Sequence, residues 1–71
     1  MSSRYKFLCL DHRNHVVAVE ETEFDTDEFA CERARRMYSD LAPYAIEAWD
    51  GGRFVCRVNE VGLHFSPPPA K

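Results

Sequence analysis

The sequence predicts an α+β fold in which two β-hairpins form one mainly antiparallel sheet and a single helix packs on one face. Three observations indicate this fold. Apolar, β-branched segments flank a polar turn near the start, a helix start with apolar residues three and four apart follows, and a second pair of apolar segments flanks two glycines. The predicted order is β-β-α-β-β, with the order of strands in the sheet undetermined. We assign residues 4–58 to a single domain and 59–71 to a tail.

The first hairpin joins strands predicted at residues 5–11 and 15–21. A three-residue loop at 12–14 places its last residue in the left-handed conformation, which Asn14 tolerates better than most residues. Directly opposed residues share a face of the sheet. The predicted register pairs Asp11 with His15, Cys9 with Val17 and Phe7 with Val19, which leaves Leu8, Leu10, Val16 and Ala18 on the opposite face.

The helix is the best-defined local element. Asp25 is the predicted N-cap, and Glu28 stands three residues later, where a capping box places an acidic side chain. Phe24 and Phe29 have the spacing of a hydrophobic staple. The helix should cover about residues 26–41. Its apolar stripe consists of Ala30, Ala34, Met37, Tyr38 and Leu41.

The second hairpin joins residues 44–49 to 53–58. A two-residue Gly51-Gly52 loop would place Glu47 opposite Cys56, whereas a three-residue loop at 50–52 separates apolar from polar side chains. We therefore predict the three-residue loop. It pairs Ala48 with Phe54 and Ile46 with Cys56, so that Ile46, Ala48, Phe54, Cys56 and Val58 face inward and Glu47, Trp49, Arg53, Val55 and Arg57 face outward.

One helix covers one face of a sheet, so the opposite face is the candidate interaction surface. A contiguous apolar patch that includes a tryptophan is typical of an interface. Two other interpretations stay open: Leu63 and Phe65 of the tail fold over the patch, or Trp49 stacks on Arg53. The predicted interface consists of Leu8, Leu10, Val16, Trp49, Arg53, Val55 and Arg57.

The tail alternates apolar and polar residues before it becomes rich in proline. Val61, Leu63 and Phe65 alternate, which indicates a short strand at about residues 61–65. The following SPPPA segment should be extended and disordered.

Composition excludes several classes of function. The 71 residues include nine basic and twelve acidic side chains, for a formal net charge of −3, whereas a general nucleic-acid binder is normally basic. No apolar run approaches the roughly 20 residues of a membrane helix. The N-terminal segment lacks the features of a signal peptide. We therefore expect a cytoplasmic protein that binds neither membranes nor, as a general property, nucleic acid.

The three cysteines, Cys9, Cys31 and Cys56, lack the paired spacing of a disulfide framework or a zinc site, which favours a reducing compartment. We expect them to pack in the core as small hydrophobic residues. His12 and His15 form H-x-x-H at a turn without further ligands, and the acidic run at residues 20–28 lacks a calcium-loop pattern. We expect no catalytic residue, metal or cofactor.

The segments YKFLCLD, FDTDEFA and EAWDGGRFVCRV together resemble a group of short bacterial proteins of uncharacterised function. The resemblance covers residues 4–58 and implies the β-β-α-β-β layout without an activity. A looser similarity is to HicB-type antitoxins, which also place such a helix start after antiparallel strands.

These observations predict a non-catalytic protein-interaction module. Its expected partner is a second copy of itself or another protein, bound through the helix-free face or a sheet edge. The alternative is an antitoxin-like or regulatory protein that binds a nucleic acid or a toxin.

Overall fold

A computed structural model describes residues 2–65 and shows one five-stranded sheet with a single helix packed against it. All strand pairs within this part of the chain are antiparallel, in the order β2-β1-β3-β4-β5. The predicted fold class is therefore confirmed. The elements are β1 (Ser3–Leu10), β2 (Val16–Phe24), α1 (Asp27–Leu41), β3 (Ala45–Asp50), β4 (Arg53–Asn59) and β5 (Gly62–His64).

The first strand lies inside the sheet, next to the edge strand β2, and joins the two hairpins. β1 pairs with β2 on one side and with β3 on the other. Its side chains alternate between the two faces, so Tyr5, Phe7 and Cys9 are buried toward the helix. The strand order that the sequence left undetermined is thus set by pairing between β1 and β3.

The first turn has the predicted three-residue loop. Asn14 adopts a φ of 63° and donates its N–H to the Asp11 carbonyl at 2.8 Å. The Asp11 carboxylate accepts the backbone N–H groups of Arg13 and His15, both at 2.9 Å. These hydrogen bonds, that of His15 most of all, lower the pKa of Asp11 and fasten the turn.

Beyond this turn the predicted register is wrong, because β2 contains a bulge. Leu10 lies opposite Val16 as predicted, but Cys9 lies opposite Ala18 and Leu8 opposite Val19. One extra residue, Val17, is inserted into β2 and displaces every later residue by one position. The predicted pairs of Cys9 with Val17 and of Phe7 with Val19 do not form.

The helix begins at Asp27, one residue later than predicted. Thr26, and not Asp25, is the N-cap, and its hydroxyl accepts the N–H of Phe29 at 3.3 Å. Both residues suit the position, so composition alone did not distinguish them. At the other end Ala42 takes the left-handed conformation and donates its N–H to the Tyr38 carbonyl at 2.9 Å.

The second hairpin has a two-residue loop, and not the predicted three-residue loop. Asp50 lies opposite Arg53 across Gly51 and Gly52, and Gly51 has a φ of 62°. The predicted three-residue loop and its register are therefore wrong.

A second bulge explains how this loop still buries the apolar residues of β4. Trp49 lies opposite Phe54, but the next pair joins Ala48 to Cys56, which leaves Val55 as the extra residue. Because of this inserted residue, Cys56 faces the helix, as does Ala48, its partner in β3. Ile46 accordingly lies opposite Val58 and not opposite Cys56.

The core lies between the sheet and the helix. Ala30 and Ala34 are fully buried on α1, and their small side chains let the helix approach the large side chains of the sheet. Leu41 of the predicted stripe is exposed. The core consists of Tyr5, Phe7, Cys9, Ala30, Cys31, Ala34, Met37, Ile46, Ala48, Val55, Cys56 and Val58.

The sheet continues past the predicted domain boundary at residue 58. β5 forms the strand expected near residues 61–65, and its Leu63 lies opposite Val58 and packs on the core. Asn59 shapes the connecting turn by accepting the N–H of Val61 at 2.9 Å. The predicted proline-rich end, SPPPA, lies outside the described residues.

Replacing Ile46 with Ala should lower the free energy of unfolding by about 2–5 kcal/mol, because the truncation leaves a cavity under the helix. Urea denaturation followed by circular dichroism measures the change. Val61→Ala, at a largely exposed position, is the control and should change stability by less than about 0.5 kcal/mol. Equal effects of the two substitutions would contradict this core.

Candidate functional site: the helix-free face of the sheet

Five predicted interface residues lie on the helix-free face. Leu8 and Trp49 are half-buried there, and Val16 is half exposed. Leu10 lies on the same face but is only 4% exposed, so it contributes little contact area. Arg57, on β4, faces the same side opposite Glu47.

The other two predicted residues are elsewhere, because the bulge in β4 reverses their orientation. Val55 is 6% exposed and packs in the core. Arg53 binds Asp27 at the start of the helix. Phe54, which the sequence analysis placed in the core, instead pairs with Trp49 and is half-buried. These three placements correct the predicted surface.

Trp49 is held by two contacts. Its ring meets that of Phe54 edge to face, with centroids 5.4 Å apart and an angle of 85° between the planes. Its indole Nε1 donates a hydrogen bond to Glu47 Oε1 at 3.1 Å. The alternative stacking on Arg53 does not occur, and Leu63 lies on the helix side and not over the tryptophan.

A shielded ion pair occupies the centre of the face. Arg57 donates to Glu47 Oε2 at 2.6 Å, and both side chains are only 13% exposed. Arg57 also donates to the Asn14 amide oxygen at 3.3 Å, so the first turn reaches across to β4. Each Glu47 oxygen therefore has a donor, and the two charges neutralise each other before any partner binds.

Exposed valines border this centre on the β2 side. Val16, Val17 and Val19 are each at least half exposed, and Val19 lies opposite the half-buried Leu8. Val19 was predicted to face inward, and only the bulge at Val17 places it beside Leu8. The part of the helix-free face around β3 thus combines apolar side chains with a neutralised ion pair. We define it by Leu8, Val16, Val19, Glu47, Trp49, Phe54 and Arg57. The far end of β1 and β2 on the same face is charged, with Arg4, Lys6, Glu21 and Glu23.

A second cluster of charges fastens the start of the helix to the sheet. Arg53 binds the Asp27 carboxylate through two nitrogens, at 2.9 and 3.0 Å, and Asp50 at 2.9 Å. The Tyr5 hydroxyl donates to Asp27 Oδ1 at 2.7 Å. The hydrogen bonds from Arg53 and then Tyr5 lower the pKa of Asp27 to about 2. Burial, followed by the hydrogen bond to Asp27, raises the pKa of Tyr5 to about 12.

The three cysteines lie in the core, as predicted. Burial raises the pKa of the Cys9, Cys31 and Cys56 thiols, which keeps them protonated at neutral pH. A protonated, buried thiol is a poor nucleophile and a poor metal ligand. This environment does not suit nucleophilic catalysis by these residues.

His12 and His15 are exposed in the first turn, and within residues 2–65 no three His, Cys, Asp or Glu side chains group in a way that would hold a metal ion. The helix in this part of the chain is neither long nor apolar enough to cross a membrane.

Comparisons with protein-family models, curated proteins and solved structures found no match for this chain. The resemblances to short bacterial proteins of uncharacterised function and to HicB-type antitoxins therefore stay predictions.

Stability should fall as the pH decreases from about 4 to 2, because the folded state lowers the pKa of Asp27 from 3.8 to about 2. The contribution of this carboxylate is complete above its unfolded pKa and is lost on protonation. Urea unfolding across this range should show a smaller pH dependence in Asp27→Asn. Asp25→Asn, at an exposed carboxylate, is the control and should keep the wild-type slope. An unchanged slope in Asp27→Asn would contradict the assignment.

Removing either member of the central ion pair should cost about 1–3 kcal/mol of stability, because the remaining charge is shielded from water. A double-mutant cycle of Glu47→Ala and Arg57→Ala should give a coupling energy above about 1 kcal/mol. The exposed pair of Glu32 and Arg35, 4.0 Å apart, is the control cycle and should couple by less than about 0.5 kcal/mol. Equal coupling in the two cycles would contradict the central role of Glu47 and Arg57.

Proposed function

We propose that this chain is a non-catalytic protein-interaction module that forms a homodimer through the helix-free face of its sheet. The supporting observation is the composition of that face. Leu8, Trp49 and Phe54 are half-buried around the ion pair, and the valines of β2 extend the apolar area. An antiparallel sheet that faces only water normally carries polar side chains on its open side.

The ion pair is compatible with burial under a partner. Covering a charged group is costly when the group loses hydrogen bonds to water. Glu47 and Arg57 are already shielded and bonded to each other, to Trp49 and to Asn14. A second copy can therefore cover them without leaving an unpaired charge.

The open face of the sheet suits packing of one sheet on another. Two copies related by a twofold axis would present the same patch to each other, as in most homodimers. Sheets packed in this way lie about 10 Å apart and interdigitate their apolar side chains. The two helices would then form the outer layers of the dimer.

The size of the chain also favours association. A domain of 71 residues buries only about 60% of its unfolded surface, and such domains gain stability from oligomerisation. Apolar burial on the face would supply this stability. The alternative of a nucleic-acid-binding protein has less support, because Arg53 and Arg57 are both bound to carboxylates.

Sedimentation velocity over a wide range of protein concentration tests the dimer. Trp49 is the single tryptophan, so its fluorescence emission should shift to shorter wavelength as the dimer forms. Val19→Lys should raise the dimer dissociation constant at least about tenfold, because it removes about 1.5 kcal/mol of apolar burial and adds a charge. Val61→Lys, at an exposed valine in the turn between β4 and β5, is the matched control.

Two outcomes would contradict the proposal. If the chain stays monomeric at every concentration, the proposed dimer does not form. A dimer whose Trp49 emission does not change, and which Val19→Lys does not weaken, uses a different surface.

A further inference from the structure

A groove runs between the helix and the outer strand β2, on the face of the sheet opposite to the proposed dimer interface. The helix packs mainly on β3 and β4 and only lightly on β2, so this margin of the sheet is uncovered. We call this feature the edge groove. It is lined by Thr22, Phe24, Phe29, Glu32, Arg33 and Arg36.

The backbone beside the edge groove is a regular strand with a free side. From Ala18 to Phe24 the pairing of β2 with β1 has no interruption. Within the described residues, no strand pairs with the other side of β2. A strand edge of this kind offers a row of backbone donors and acceptors that an extended peptide can pair with.

The two faces of this edge carry different charges. Toward the helix, Glu32, Arg33 and Arg36 line the groove. Arg33 is bonded to Glu20 at 2.6 Å, and Glu32 lies 4.0 Å from Arg35. Among the described residues Arg36 forms no ion pair. Glu21 and Glu23 face the opposite side.

The Glu21 and Glu23 carboxylates can still form ion pairs with basic side chains of a bound ligand. Arg4 lies 3.7 Å from one and 3.6 Å from the other, which are long and exposed ion pairs. Such pairs contribute little and exchange readily with other partners.

The edge groove also offers an apolar contact. Phe29 is 59% exposed although it projects from the helix beside the half-buried Phe24. An aromatic or aliphatic side chain of a ligand would bury both rings. The groove therefore combines an apolar surface, a free cation and a free strand edge.

We propose that the edge groove binds an extended peptide segment of another protein, which adds to β2 as a sixth strand. Alternate side chains of a strand point to opposite faces. The bound segment would direct apolar and acidic side chains toward Phe29 and Arg36, and basic side chains toward Glu21 and Glu23. Backbone pairing would provide affinity, and this alternation of charge would provide specificity.

A second copy of β2 fits this site poorly. Symmetric antiparallel pairing of two copies of the regular segment would be centred on Glu21 and would place this residue against its own counterpart. Like charges directly opposite each other destabilise a strand pair. The bulge at Val17 also interrupts the uncharged part of the edge.

The probe is a capped peptide with the repeating sequence Lys-Phe-Lys-Glu, which places lysines on one face and phenylalanine and glutamate on the other. Titration into the ¹⁵N-labelled chain should give saturable shifts of amide resonances in residues 19–24 and 29–36. The control peptide, Glu-Phe-Glu-Lys, has every charge reversed and should bind at least about tenfold more weakly.

Two variants of adjacent helix residues complete the test. Arg36→Glu should weaken binding of the probe at least about tenfold, whereas Arg35→Glu, next to it but exposed beside Glu32, should change binding by less than about twofold. Circular dichroism verifies that both variants fold.

The proposal is overturned if the two peptides bind equally, or if Arg36→Glu and Arg35→Glu have equal effects. It is also overturned if an oligouridylate RNA shifts the same resonances and the peptide does not. The comparison of Arg36→Glu with Arg35→Glu does not depend on the dimer, because both residues belong to the helix and lie on the side of the sheet opposite to the helix-free face.

Discussion

The packing of the alanine stripe of α1 on the sheet, mainly over β3 and β4, is the contact on which the rest of the structure depends. Ala30 and Ala34 are fully buried, so the helix lies close to Phe7 and Ile46. One helix is about 10 Å wide, whereas five strands spaced about 4.8 Å apart span about 19 Å. A single helix therefore cannot cover this sheet. The uncovered β2 margin is a consequence of that mismatch, whereas the opposite face is open because the one helix of the described residues packs on the other side.

Local signals were sufficient to predict the order of the elements, because the first turn and the start of the helix depend on residues close together in sequence. The two bulges were not predicted, since a regular alternation of apolar and polar residues contains no sign of an inserted residue. For this reason Val55 and Phe54 were placed on the wrong faces. The Gly51-Gly52 pair was the available signal for the bulge in β4. Two glycines favour a two-residue loop, and with that loop Cys56 is buried only if β4 contains an extra residue.

The two candidate surfaces differ in chemistry. The helix-free face is apolar around a neutralised ion pair, which suits a large and symmetric contact. The edge groove has separated charges and a free strand edge, which suits a narrow and directional contact. They lie on opposite sides of the sheet, so a dimer would carry two such grooves. Two equivalent grooves would allow one assembly to hold two peptide segments, with the gain in avidity that this implies.

The position of β1 between β2 and β3 affects how the chain folds. Each hairpin closes locally, but an isolated two-stranded hairpin is marginally stable in water. Phe7 becomes buried only when β1 meets β3, where it lies opposite Ala48, and when the helix between them is in place. This non-local pairing should determine the folding rate, because its loop-closure entropy is lost before the core contacts form. During synthesis the apolar side chains of the first strand therefore stay incompletely buried until β3, which ends at Asp50, has left the ribosome.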